Sequence, residues 1–239
     1  MEKAYEILNM KTEKEFYDLC DELNIDLQLT SGKRATADTL CMIVEYLTAF
    51  ASLYGLVPIE TAVKLINGYE NEEFTRQDII KFENFFSRIR AYFCLADDSI
   101  LYNEMLDAPA ADYIEMLKQG QKGKPYAVLP KDIVLRYAEE GYFEVPPQYG
   151  ELFHFLTDGV KLDIKEADEI TDEIYFIYRI NGDHDRVLEY LKKKEVNIED
   201  EDKYKKFLFV IDDLKNNTRT CENCGNTPNE LKEIFSKQG

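Results

Sequence analysis

Apolar residues recur at helical intervals along nearly the whole chain, and this period predicts helices over residues 2–9 and 12–24 to begin with. Thr12 followed by Glu15 has the spacing of a capping box. Phe16, Leu19, Cys20 and Leu23 then give the second helix one apolar stripe. A polar connection follows from Asn24 to Ala35, with Ser31-Gly32 as its turn signal. From Thr36 to Tyr54 the chain is apolar on all sides, Glu45 being the only strong charge after Asp38. A helix without a wet face belongs in a core, and this one is short for a bilayer span.

Pro58 to Asn67 reads as a helix opened by proline and ended by Gly68. Thr75 caps a further helix over 76–90, with Asp78 at its third position and Ile79, Phe82, Phe86 and Ile89 along one stripe. Tyr92–Leu95, Asp97-Asp98 and Ile100–Tyr102 read as strand, tight turn and strand. Three helices and a hairpin in that order predict a winged-helix-like unit over about residues 36–106.

Beyond Pro109 the pattern predicts helices over 110–119, 130–140, 148–157, 163–180, 184–194 and 199–216, the fourth of these carrying a Tyr/Phe/Ile run, 174–178, that also fits a strand. Asp158-Gly159 ends the helix at 157, and Thr227-Pro228-Asn229-Glu230 opens a last one. The Gly/Lys stretch 120–125 reads as a linker between an N-terminal helical subdomain, 1–119, and a C-terminal helical bundle, 126–239. The fold class expected is mainly α, in two helical subdomains.

Composition narrows the function classes. The 239 residues carry 47 acidic and 29 basic side chains, a net charge of -18, and 45% are hydrophobic, enough for a packed core. Residues 1–120 hold a net charge of -11 and residues 121–239 one of -7, so neither half is a basic module built to neutralise phosphates. No uncharged apolar run reaches membrane length and no secretory leader is visible; five cysteines, an odd number, fit a reducing cytoplasm better than a disulfide framework. Two histidines exclude a histidine-rich metal centre.

Four patterns invite chemistry. Arg76, Lys81, Arg88 and Arg90 outnumber Asp78 and Glu83 on the helix that would serve as a recognition helix. Against that, residues 58–106 carry 5 basic and 9 acidic groups, and the tip of the wing is Asp97-Asp98. Cys221-Glu222-Asn223-Cys224-Gly225 has the spacing of half a tetrahedral zinc site, of a redox dithiol or of a structural loop. Its missing half is not evident, because Cys20, Cys41 and Cys94 lie on apolar faces far upstream and His184 starts a helix. A second copy of the chain could supply it. Asp183-His184-Asp185 reads as a helix cap rather than a catalytic cluster, and His154 as a semi-buried helix residue. No nucleophile elbow, phosphate-binding glycine loop or paired-histidine zinc motif occurs.

Tyr54-Gly55-Leu56-Val57-Pro58-Ile59, together with Asn216-Asn217-Thr218-Arg219 and Gly225-Asn226-Thr227-Pro228-Asn229-Glu230-Leu231, resembles a loose group of uncharacterised bacterial helical proteins. Some of that group carry a C-terminal SEC-C-type zinc motif. The C-x-x-C spacing of Cys221 and Cys224 departs from the C-x-C-G of that motif, so zinc is not implied. The resemblance implies a helical fold and no enzymatic activity. The reading that follows is a non-enzymatic, acidic, cytoplasmic protein that binds or regulates a protein partner, without a resident cofactor. A DNA-binding regulator using the winged-helix-like unit, and an acidic inhibitor that imitates DNA, are the alternatives.

Overall fold

The computed structural model describes residues 12–89, 91–102, 110–180 and 183–237. The helix expected over 2–9 lies outside them. The fold is mainly α, as the periodicity predicts, with one small sheet among the described residues. The chain divides into two compact units, Met1–Lys118 with Val128–Tyr142, and Gln119–Ala127 with Phe143–Gly239. The stretch read as a linker, 120–125, therefore belongs to the second unit, and the segment after it returns to the first.

The first unit is built on the apolar helix. α1 (Glu13–Glu22) precedes α2 (Ala37–Tyr54), in which thirteen residues are buried, among them Leu40, Ile43, Tyr46, Leu47, Phe50 and Tyr54. Thr36 caps α2 by accepting from the backbone N–H of Thr39 at 3.2 Å. Gly55 (φ 71°) then turns the chain into β1 (Leu56–Pro58), a three-residue strand that the sequence pattern did not suggest. α3 (Ile59–Glu70) follows directly. It runs through Gly68, where an ending was expected, because Asn71 (φ 53°) supplies the left-handed residue and the Glu70 carboxylate is held by the Tyr46 hydroxyl and by Lys131 at 2.7 Å.

The single helix expected over 76–90 is two, α4 (Arg76–Lys81) and α5 (Glu83–Arg88). The backbone breaks at Phe82 (φ -91°, ψ 4°), which turns Phe85 inward to meet Phe16 edge to face at 6.0 Å. Ile79, Phe82 and Phe86 are buried as their spacing predicts, while Ile89 is only half-buried. β2 (Phe93–Ala96) and β3 (Ser99–Tyr102) form the expected hairpin, and β3 lies between β1 and β2, antiparallel to both. Asp97 (φ 48°) and Asp98 (φ 61°) are both left-handed, the backbone of a type I′ turn. The carbonyl of Asp98 also accepts the N–H of Ile59 at 3.0 Å, satisfying a first-turn donor of α3 that has no side-chain cap. α6 (Ala110–Gln121) comes next, and α7 (Lys131–Arg136), shorter than the expected 130–140, packs on α2.

The second unit is a helical bundle. α8 (Pro147–His154) does not stop at Asp158-Gly159 but widens into a π-helical turn, Phe155–Val160, closed by Lys161 (φ 72°). Gly159 allows this, since a Cβ there would press on the Phe155 ring at 3.3 Å. α9 (Ile164–Arg179) buries Ala167, Ile170, Ile174, Tyr175, Ile177 and Tyr178, the three-and-four spacing of a helix, so the run 174–178 is helical rather than a strand. α10 (His184–Lys193), α11 (Glu201–Asn217) and α12 (Pro228–Ser236) complete the bundle. Leu152, Leu156, Val187, Phe207, Ile211 and Leu214 fill its core together with the inner face of α9. No helix among the described residues is long and apolar enough to cross a membrane.

Candidate protein-interaction site

The basic positions of the α4–α5 segment do not form an open cationic face. Arg76 donates from Nε to Asp98 Oδ1 at 2.6 Å, across to the turn of the hairpin. Lys81 is half-buried: its Nζ donates to the Gln28 carbonyl and lies 3.6 Å from Asp78 and 3.7 Å from Asp26. Arg88 is exposed, and Arg90 lies outside the described residues. The hairpin thus presents two carboxylates where a DNA-reading wing needs cations, and one of them has already claimed an arginine.

Cys221 and Cys224 sit in a tight buried turn. The Thr220 carbonyl accepts from the N–H groups of Asn223 and Gly225, and Cys224 (φ 53°) and Gly225 (φ 75°) are both left-handed. The turn grips segment 119–127: Gln121 Nε2 donates to the Cys221 carbonyl at 2.8 Å, Asn226 Nδ2 to the Pro125 carbonyl at 2.7 Å, and Ala127 N–H to the Cys224 carbonyl at 2.9 Å. The Cys224 thiol faces two carbonyl oxygens, those of Gln121 at 3.8 Å and Lys124 at 3.7 Å, and so acts as a weak donor. Burial raises both thiols above the ordinary range, Cys224 to about 12. A metal wants thiolates and further ligands. Among the described residues no group of three or more His, Cys, Asp or Glu side chains is placed to hold one. Cys20 and Cys41 are buried apart in the first unit, and Cys94 lies on β2. The turn with metal-ligand spacing is tied to segment 119–127 by backbone and amide hydrogen bonds.

Asp183 caps α10 by accepting from the N–H of Arg186 at 3.0 Å, and this hydrogen bond holds its carboxyl below the ordinary value. His184 packs edge to face on Tyr178, and its Nε2 lies 3.9 Å from Asp212. Asp185 lies in the first turn of α10, where its charge favours the helix dipole. His154 is exposed rather than semi-buried, because the inward positions of α8 are Leu152 and, in the π-helical turn, Phe155 and Leu156.

The feature that the sequence reading missed is a concavity of about 450 Å³ over the outer face of α9. Its aromatic lining is Phe143, Tyr175, Phe176 and Tyr190. The Phe143 and Tyr175 rings pack at 4.7 Å with a tilt of 34°, which makes a firm floor, and the Tyr175 hydroxyl is anchored on the Glu144 carbonyl at 3.0 Å. Phe176 stands 52% exposed, so an apolar ring is offered to solvent. Around it lie Glu169, Asp172 and Glu173, with Arg179 and Lys194. Lys194 reaches Glu169 at 3.9 Å and sits 5.8 Å from the centre of the Tyr190 ring. Asp172 accepts the Tyr149 hydroxyl. Glu173, half-buried, has no hydrogen-bond or ion-pair partner among the described residues. Burial first, then the charges of Glu173 and Glu169, push the Tyr190 hydroxyl above the ordinary phenol range. The signal in the sequence was Phe176 itself, on the same helical face as Glu169, Asp172 and Glu173, where period alone calls for polar residues.

A second concavity, of about 340 Å³, lies on the other side of α10, between Leu188, Leu191, Val196, Ile198 and Phe207. Compared with protein-family models, with curated proteins and with solved structures, the chain matches none.

Proposed function

We propose that this chain is a non-catalytic binding protein whose partner is a basic protein, and that the partner docks on the aromatic and acidic concavity over α9. The observation that carries the reading is the combination of the exposed Phe176 ring with the half-buried Glu173, which has no ion-pair partner among the described residues, in one open site. Aromatic rings supply contact area at low entropic cost, and carboxylates at a rim choose a cationic surface. A net charge of -18 adds long-range steering toward such a partner. The first unit reads as a winged-helix-like module by its order of helix, strand, helix, helix pair and hairpin, with β3 central in the sheet. The ion pairs of Arg76 and Lys81 support a use of that module in protein contacts over a use on DNA. The chemistry described is that of binding and of structural clasps.

The test is a pair of titrations at low salt, one with a labelled peptide rich in lysine and arginine and one with a mixed-sequence DNA duplex. The peptide is expected to bind, to weaken steeply with salt, and to weaken further in Glu173→Lys; the duplex is expected to give no signal. Binding of the duplex, or peptide binding indifferent to Glu173→Lys, overturns the reading.

A further inference from the structure

We infer that the concavity over α9 is a receptor for one arginine side chain of the partner protein, seated against the rings of Phe176 and Tyr190 with its guanidinium on Glu173. This rests on the docking reading above and gives it a ligand. The site already contains a cation that shows what it accepts: the Lys194 ammonium lies against the Glu169 carboxylate and toward the Tyr190 ring. That lysine lies 3.9 Å from Glu169, whereas Glu173, on the next turn of α9, has no counter-ion among the described residues. A half-buried carboxylate loses hydration, and an isolated one is a cost that a protein normally removes by pairing it. Glu173 stands beside an exposed phenyl ring and a phenol, so the group that fits is flat, cationic and able to fork.

A guanidinium meets all three requirements, since it stacks on aromatic faces and donates two parallel hydrogen bonds to a carboxylate. An ammonium is a point charge that makes poorer use of the rings. Three carboxylates, Glu169, Asp172 and Glu173, outnumber the two cations of the lining, Arg179 and Lys194, so the balance of charge favours a cation over an anion.

The experiment is an amide-resonance NMR titration of the full chain with three probes: acetyl-Gly-Arg-Gly-amide, its lysine counterpart, and its citrulline counterpart, which keeps the shape and loses the charge. The arginine peptide is expected to shift residues 173, 176 and 190, the lysine peptide to do so more weakly, and the citrulline peptide not at all. Glu173→Gln is expected to weaken the arginine peptide about tenfold, the magnitude of one charge-assisted contact. It should leave the melting temperature unchanged or raised, because no described residue pairs with that charge. Tyr190→Leu is the second variant and should weaken the same peptide while the acidic rim stays intact. Equal response to the citrulline peptide, an unshifted 173–176 segment, or undiminished binding by Glu173→Gln overturns the inference. If the tripeptide is silent while the longer basic peptide still weakens in Glu173→Lys, the arginine receptor falls and the docking surface stands; silence of both removes both.

Discussion

Arg219 and Glu230 face each other fork to fork: Nη1 lies 2.6 Å from Oε2 and Nη2 2.9 Å from Oε1. The same Glu230 closes the capping box of α12, taking the Thr227 N–H at 2.9 Å while its own N–H is accepted by Thr227 Oγ1 at 3.1 Å. One carboxylate therefore fixes both the start of the last helix and the arginine after α11. Arg219 Nε donates to Glu144, and Nη1 also reaches the Gly225 carbonyl at 3.1 Å, tying the cysteine turn into the same network.

Removing the guanidinium leaves Glu144 and Glu230 facing each other's charge. Arg219→Ala is expected to destabilise the protein by about 1–3 kcal/mol, less than the about 3–5 kcal/mol of a fully buried broken pair, because both glutamates keep solvent. Arg219→Lys restores the charge but not the fork, and should recover only part of the loss. Urea denaturation of both variants checks this, and an Arg219→Ala variant as stable as the parent would show that the network is decorative.

Asp78 is a second anchor, in the first unit. It is fully buried, and its two oxygens accept from the Thr30 N–H at 2.9 Å, the Thr30 hydroxyl at 2.7 Å, the Thr75 N–H at 2.9 Å and the Thr75 hydroxyl at 2.9 Å. Burial alone would raise this carboxyl, but the hydrogen bonds outweigh it and hold it below the ordinary aspartate value of 3.8. A carboxyl whose folded pKa is depressed stabilises the fold fully above its unfolded value and loses that contribution as pH falls through the folded value. Asp78→Asn, which points an amide donor at other donors, is expected to cost about 2–3 kcal/mol at neutral pH. The gap between parent and variant should close progressively as pH falls below about 3.8, where the unfolded chain's carboxyl takes up a proton that the folded one still refuses. Denaturation at several pH values decides it, and a gap that widens in acid would reverse the assignment.

How much of this was legible beforehand differs between scaffold and site. Thr12, Asp183 and Thr227 each cap a helix as the sequence suggests, and caps are local: a polar residue before an apolar period needs no partner from elsewhere. The break at Phe82 and the short β1 were not legible, because both depend on distant partners, Phe16 for the rotated Phe85 and β3 for Leu56–Pro58. Arg76 looked like a candidate for phosphate until the left-handed turn at Asp97-Asp98 brought a carboxylate to it from 22 positions away. The concavity over α9 needed Phe143 and Tyr190, one before α8 and the other on α10, to meet α9 in space, which no single periodic segment announces. Cys221 and Cys224 show the converse: their spacing left zinc, a redox dithiol and a structural loop open, and burial with carbonyl neighbours supports the loop.

That burial has a measurable consequence. A thiol raised from 9.0 to about 12, as Cys224 is by burial and by its neighbour Cys221, holds about a thousandfold less thiolate at neutral pH. In native protein near pH 8, Cys221 and Cys224 are expected to resist iodoacetamide, and half-buried Cys94 to react first of the five, still slowly because burial and Glu83 raise it as well. All five should react promptly in urea. Mass spectrometry of timed digests checks the order. Rapid native labelling at 221 or 224, or stoichiometric zinc that only a chelator removes, would show that these sulfurs are thiolates and the turn is a ligand loop.

Tyr178 offers a test with the opposite sign. Its side chain is 1% exposed, with the Lys215 ammonium 5.8 Å from its ring centre, and its hydroxyl has no hydrogen-bond partner among the described residues. Burial, then the charges of Asp212 and Asp183, push that hydroxyl above the ordinary phenol range, so it stays neutral at any physiological pH. A buried hydroxyl without a partner has lost its water and gained nothing, so deleting it removes a penalty while the ring packing on His184 remains. Tyr178→Phe is expected to stabilise the protein by about 1 kcal/mol, or about 2–4 °C in Tm for a chain of this size. Differential scanning calorimetry reads the shift directly. A fall in Tm instead would mean that the hydroxyl is bonded in solution, with water reaching it at the start of α10, where His184 lies near Asp212.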